Sequence, residues 1–158
     1  MAKIVILLGG RIYIKKIILE YSFLNFYEKE IWLIDSLQIF DPFYLSRENT
    51  SRTREFLQEL RISRPFTFYQ LKDRIFTLTK IYLKPEAAVI ISSFDCFNKN
   101  IMDKNEKESL IELMLDTIKK ITLQKRCRFM IGLKNKELMK NIRKKFEKVR
   151  IWEEQSGL

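Results

Sequence analysis

Two glycines interrupt an apolar run near the N-terminus, Lys3-Ile-Val-Ile-Leu-Leu-Gly-Gly-Arg-Ile-Tyr-Ile-Lys-Lys-Ile17, which then resumes with helical spacing. The layout reads as strand, glycine turn, helix, and it points to phosphate chemistry. In a phosphate-binding P-loop, Gly, four residues and then Gly-Lys-Ser/Thr let backbone N–H groups wrap a phosphate at a helix N-terminus. On that template Gly9 takes the first glycine, Gly10 follows it in the loop, and Lys15 takes the lysine. Ile14 stands where the second glycine belongs, and Lys16 where the metal-binding hydroxyl belongs. A β-branched residue resists the positive φ that glycine supplies, and an ammonium cannot coordinate Mg²⁺. Gly9, Gly10, Lys15 and Lys16 are therefore the residues of a vestigial phosphate loop. For Lys15, phosphate binding without hydrolysis and a plain salt bridge both remain open.

Three further groups could do chemistry. From Lys134 to Arg150 eight basic residues face only Glu137 and Glu147. On a helix over 135–147, Lys136, Lys140, Arg143 and Lys144 share one side, and Leu138, Ile142 and Phe146 lie near the opposite one. With Lys145 and Lys148 they are candidates for contact with a nucleic-acid backbone, sequence-independent and salt-sensitive. A solvated face and an acidic protein partner are the competing readings. The second group is Phe40, Phe43 and Tyr44 in a loop, which either pack beneath it or offer a partner-binding surface. The third is Asp35 and Asp95, which could approach one edge. There they would form a rescued metal site, cap helices, or pair with Arg11, Lys15 or Lys16. The chain has no histidine and two cysteines. Histidine catalysis and a four-thiolate metal site are thus excluded, and Cys96 and Cys127 read as free core thiols at opposite sheet edges. No cofactor or metal is expected.

The elements that must position these groups follow from periodicity. At 158 residues and 46% hydrophobic content the chain fits one domain, 1–158, with a sizeable core. No apolar run approaches the ~20 residues needed to cross a bilayer, and the expectation is a cytoplasmic protein, nuclear in a eukaryote, with no membrane partner. The net charge of +10 suggests an acidic partner. Strands are expected at 3–8, 31–35, 61–63 (an edge), 87–91, 128–133 and 149–152. The helix after the glycines carries Ile14, Ile17, Ile18, Tyr21 and Leu24 on one face. A polar segment, 47–54, leads into a short helix with Phe56, Leu57 and Leu60. Thr67-x-x-Gln70 has the spacing of a capping box opening a helix that runs to about Leu83, with Phe68, Leu71, Ile75, Leu78 and Tyr82 on one face. Asp103-x-x-Glu106 has the same spacing before a long helix with Ile111, Met114, Leu115, Ile118 and Ile121. Strands alternating with helices imply an α/β fold with a mainly parallel sheet flanked by helices on both faces. In such sheets ligands bind beyond the carboxyl ends of the strands.

Several segments, in order, carry a family resemblance: the glycine turn at 9–16, Leu33-Ile-Asp-Ser-Leu-Gln-Ile-Phe-Asp-Pro42, Arg64-Pro-Phe-Thr-Phe-Tyr-Gln-Leu71 and Val89-Ile-Ile-Ser-Ser93. Over about residues 3–133 the chain resembles the ATPase core of the RecA/RadA recombinase superfamily, and within it the recombinase paralogues. The resemblance implies a RecA-like P-loop NTPase core. It places the family's water-positioning glutamate at Leu37 and its Walker B aspartate at Ser92, neither of which carries the charge. Phosphoryl transfer rests on positioning and charge stabilisation, so a degenerate, non-catalytic ATPase is expected.

The resemblance further implies a structural or regulatory subunit in homologous recombination and DNA repair. Its partner would be a RecA-like protein or other recombination subunit, in a hetero-oligomer or homodimer, with DNA contacted through basic residues. The chain is shorter than a full recombinase core and carries no N-terminal module, so filament formation by itself is not expected. The alternatives are an ATP-binding protein or slow ATPase with a noncanonical P-loop, and a stand-alone nucleic-acid-binding module.

Overall fold

The computed structural model describes residues 3–44, 50–97 and 102–155. Among them six strands form one parallel sheet: β1 (Ile4–Leu8), β2 (Ile31–Ile34), β3 (Arg61–Ser63), β4 (Ala88–Ile91), β5 (Arg128–Leu133) and β6 (Val149–Glu153). Their order is β3-β2-β4-β5-β1-β6. Five helices connect them: α1 (Arg11–Asn25), α2 (Thr50–Glu59), α3 (Phe68–Thr77), α4 (Lys104–Lys125) and α5 (Met139–Lys145). Residues 47–49 of the expected polar segment, and 98–101 of the connection after β4, lie outside the described residues.

Alternation along each strand sorts the core into two layers. Ile4, Ile6, Val89, Ile91, Phe129 and Ile131 point to the face covered by α3, α4 and α5, where Leu71, Ile75, Met114, Leu115, Ile118 and Ile142 meet them. Leu7, Leu33, Ala88, Ile90 and Met130 point to the other face, beneath Ile14 and Ile18 of α1 and Phe56 of α2. Strands apolar on both faces are what a sheet covered on both sides requires.

The helices differ from their expected extents in physically traceable ways. α3 ends at Thr77, not near Leu83, because Leu78, Thr79 and Lys80 turn onto carbonyls three residues back. The Thr79 hydroxyl also takes the Phe76 carbonyl at 2.7 Å, the local competition that makes threonine a poor helix continuer. Tyr82 is consequently 77% exposed. In α1 the buried ridge runs through Ile14, Ile18 and Ser22 with Leu19 beside it, and Leu24 faces outward. The basic segment is a 3-10 turn, Lys136–Leu138, followed by the seven-residue α5. At α3 the Thr67 hydroxyl accepts from Gln70 N at 3.1 Å. The Gln70 amide oxygen returns to Phe66 N, one residue before the cap. Asp103 starts α4 with no side-chain cap bond.

One glycine sets how the middle of the sheet closes. Gly132 in β5 lies against the chain leaving β4, and a Cβ built on it would sit 2.0 Å from the Ser92 carbonyl oxygen. Phe94 N bonds the Gly132 carbonyl at 2.9 Å, so the approach is backbone to backbone and no side chain can yield. Gly132→Ala should cost about 3 kcal/mol, the upper end of overpacking penalties. A urea midpoint that is unchanged in this variant would contradict the close approach.

Candidate functional site

The carboxyl ends of β1, β2, β4, β5 and β6 meet at one rim of the sheet, where an α/β protein binds its ligand. β1 passes into α1 through Gly9 and Gly10 alone. Gly9 N bonds the Leu133 carbonyl, and Ile14 N already bonds the Gly10 carbonyl as the first helical bond. Residues 11–16 are therefore helical, and the four-residue loop of the phosphate template does not form. Lys15 and Lys16, expected on that loop, lie in the second turn of α1. The reason is composition: Arg-Ile-Tyr-Ile-Lys-Lys contains no glycine to hold an open loop and continues the helix's apolar spacing. Lys15 reaches Asp41 at 3.5 Å and stands over the Tyr44 ring at 5.4 Å.

The N-terminus of α1 has an anion of its own. The register of β6 on β1 pairs Glu153 with Leu8, which brings the next residue level with Gly9. The Glu154 carboxylate accepts from Gly10 N at 2.8 Å, an arrangement favoured by the positive end of the helix. Tyr13 closes over it, and a Cβ on Gly9 would lie 2.6 Å from the Tyr13 ring and 2.8 Å from Glu154 Cβ. Burial and the Glu154 charge raise the pKa of the Tyr13 phenol above its ordinary value.

Asp35 and Asp95 also turn onto backbone. Asp35 is fully buried. Its two oxygens accept from Ile39 N at 3.0 Å, Phe40 N at 2.9 Å and the Ser92 hydroxyl at 2.9 Å. Ser92 in turn accepts from Leu37 N at 2.8 Å. Arg64 adds its charge, with Nε 3.6 Å from Asp35 and a guanidinium N–H donated to the Phe40 carbonyl at 3.0 Å. Asp95 accepts from Lys134 N at 2.9 Å and Asn135 N at 3.3 Å. Among the described residues no three His, Cys, Asp or Glu side chains gather as metal ligands.

The other candidates separate. Phe40 packs onto the α1–α2 core layer, Phe43 is 77% exposed and Tyr44 is 40% exposed. Lys140, Arg143 and Lys144 are exposed on one side of α5, and Lys148 is exposed beyond it. Lys136 pairs with Glu153 at 3.3 Å. Lys145 leaves the basic face for α4, where it meets Glu112 at 2.8 Å and Asp116 at 2.7 Å. Cys96 and Cys127 are free thiols, and burial pushes Cys127 up to about 11. Glu154, Arg64 and Ser92 are the rim residues that pattern reading passed over as polar-contact makers. A carboxylate just past the last parallel strand was the available signal for Glu154.

No protein-family profile matches the chain, and no curated protein matches it. Among solved structures, the crystal structure of the RadB recombinase superposes with a TM-score of 0.74 at 14% identity, over 98% of this chain and 76% of that one. The fold is RecA-like. At that identity the likeness shows architecture, and in this chain the RecA-like rim carries Asp35, Asp95 and Glu154 bound to backbone N–H groups.

Two expectations follow. Asp35→Ala strips acceptors from two amides and a hydroxyl, and should lower unfolding free energy by roughly 3 kcal/mol. Asp35→Asn, which keeps one acceptor oxygen, should lose less, as read by urea denaturation. The pKa of Glu112 is held below its ordinary value by the hydrogen bond from Lys145 and then by that from Asn141. That contribution is therefore present above the ordinary carboxylate range and disappears as pH falls through the lowered value. In Lys145→Ala the Glu112 carboxyl titration followed by NMR should move upward; an unmoved midpoint would contradict the pairing.

Proposed function

We propose that this chain is a non-catalytic RecA-like protein. It acts as a structural or regulatory subunit in homologous recombination and DNA repair, bound to a RecA-like partner and touching DNA through α5. The observation that carries the reading is the two-residue passage from β1 to α1 with Glu154 on Gly10 N. A phosphate at that helix end would meet a carboxylate already in place, and like charges at a shared site repel. The likeness in fold to the RadB recombinase supports the biological setting of this reading. Leu37, which the sequence resemblance aligns with the water-positioning glutamate, supplies only a backbone N–H to Ser92. Asp35 and Asp95, the nearby carboxylates, are committed to backbone.

The partner surface in this reading includes Phe43, an exposed ring whose backbone N–H bonds Asp41, the ion-pair partner of Lys15. DNA would lie along Lys140, Arg143 and Lys144, since Lys136 and Lys145 are held in ion pairs.

Recovery of the tagged protein from native extract after nuclease treatment should retain a RecA-like protein, and Phe43→Ala should reduce that retention. Companions that disappear with nuclease would contradict the subunit reading. Separately, reversing Lys140, Arg143 and Lys144 to glutamate should weaken single-stranded DNA binding and flatten its log–log salt slope by about 2, at roughly 0.7 for each phosphate no longer neutralised. Unchanged affinity and slope would remove DNA from the proposal.

A further inference from the structure

A cavity of about 650 Å³ opens at the carboxyl ends of β2, β3 and β4, and its lining includes Arg11 at the start of α1 but neither Gly10 nor Glu154. Its volume falls in the range of small-molecule sites, about 300–1,000 Å³. The wall is mainly apolar, with Phe66, Phe68, Phe97 and Met102. It is also held open. Phe68 is buried and fixed edge-to-face between Phe94 at 6.3 Å and Phe97 at 5.9 Å, so the ring cannot fold into the space.

Two cations complete the lining, Arg11 and Lys107, and no carboxylate does among the described residues. Arg11 donates one guanidinium N–H to the Gln38 carbonyl at 2.7 Å, leaving the rest of its five donors. Lys107 makes no ion pair among the described residues. Its neighbour Glu106 is turned onto the Tyr69 hydroxyl. An aromatic wall with two cations, and no carboxylate in its lining among the described residues, selects its ligand by both properties. The ring surface takes an apolar body, and the cations take an anionic group through charge-assisted bonds.

We propose that this cavity binds a small amphipathic anion, a flat apolar body bearing one carboxylate, sulfonate or phosphate group. The inference stands on the cavity alone and does not depend on the recombination reading. Cys96 lines the same space, and Cys127 is buried elsewhere in the core. Occupancy can therefore be read as protection of a thiol inside the site.

The test uses the full chain and two dyes that differ in one group: 8-anilinonaphthalene-1-sulfonate and its uncharged counterpart N-phenyl-1-naphthylamine. The sulfonate should bind saturably at a single site, slow alkylation of Cys96 by iodoacetamide at least tenfold, and bind at least tenfold tighter than the neutral dye. Lys107→Gln alone should weaken the sulfonate severalfold, and Arg11→Gln with Lys107→Gln should remove its advantage over the neutral dye. Equal binding of both dyes by the unaltered protein, or saturation without protection of Cys96, would overturn the proposal. So would an unchanged sulfonate affinity in Lys107→Gln, a variant at a half-buried helical position whose fold is checked by circular dichroism.

Discussion

A fully buried carboxylate has to be satisfied by donors within reach, and Asp35 is satisfied by the chain that follows it and by the next strand of the sheet. Ile39 N, Phe40 N, the Ser92 hydroxyl and Arg64 converge on its two oxygens. Leaving any of these groups unpaired in the interior costs more than a single hydrogen bond returns. The turn after β2 is thereby tied to the end of β4 and to the segment opening α3. Gly132 is the condition for this, since only a residue without a side chain lets Ser92 come so close to β5. The left-handed conformation of Gln38, φ 56°, belongs to the same turn, and its carbonyl receives Arg11 from α1.

The same chemistry repeats around the rim. Asp95 takes the amides that follow β5, and Glu154 takes the amide that opens α1. Each is an acidic side chain answering backbone N–H groups that the ends of strands and helices leave unpaired. A protein that places phosphate at such a rim needs those amides open and its carboxylates free for a metal. Here each of these carboxylates is spent within the molecule, while the apolar cavity under α3 and α4 stays open.

Much of the fold was legible because the strands are apolar on both faces and the long helix, α4, keeps strict spacing from Ile111 to Ile121. The parallel sheet followed from that alternation. The edge position of β3 fits its short, exposed sequence. Helix ends were less legible, as at α3, where Thr79 diverts a carbonyl that the apolar pattern alone cannot see. The rim was legible in residue type but not in partner. Asp35 and Asp95 stood out as carboxylates after strands, whereas several of the groups they meet come from distant segments: the Ser92 hydroxyl and the Arg64 charge at Asp35, and Lys134 N at Asp95. Lys15 and Lys16 were assigned to a phosphate loop because a template was matched by spacing, although the residues between include no glycine and continue the apolar spacing of the helix. The role of Glu154 depends on which strand lies beside β1, and only the sheet order supplies that.

In the proposed reading α1 begins against the protein's own carboxylate, Glu154, and offers no place to a nucleotide phosphate. The reading is tested by titrating the ¹⁵N-labelled full chain with Mg-ATP, following the amides of Gly9 and Gly10. No saturable shift of these amides is expected at millimolar nucleotide. Saturable shifts centred on Gly10 that vanish in Lys15→Ala would contradict it, and would restore a working phosphate site to this end of the sheet.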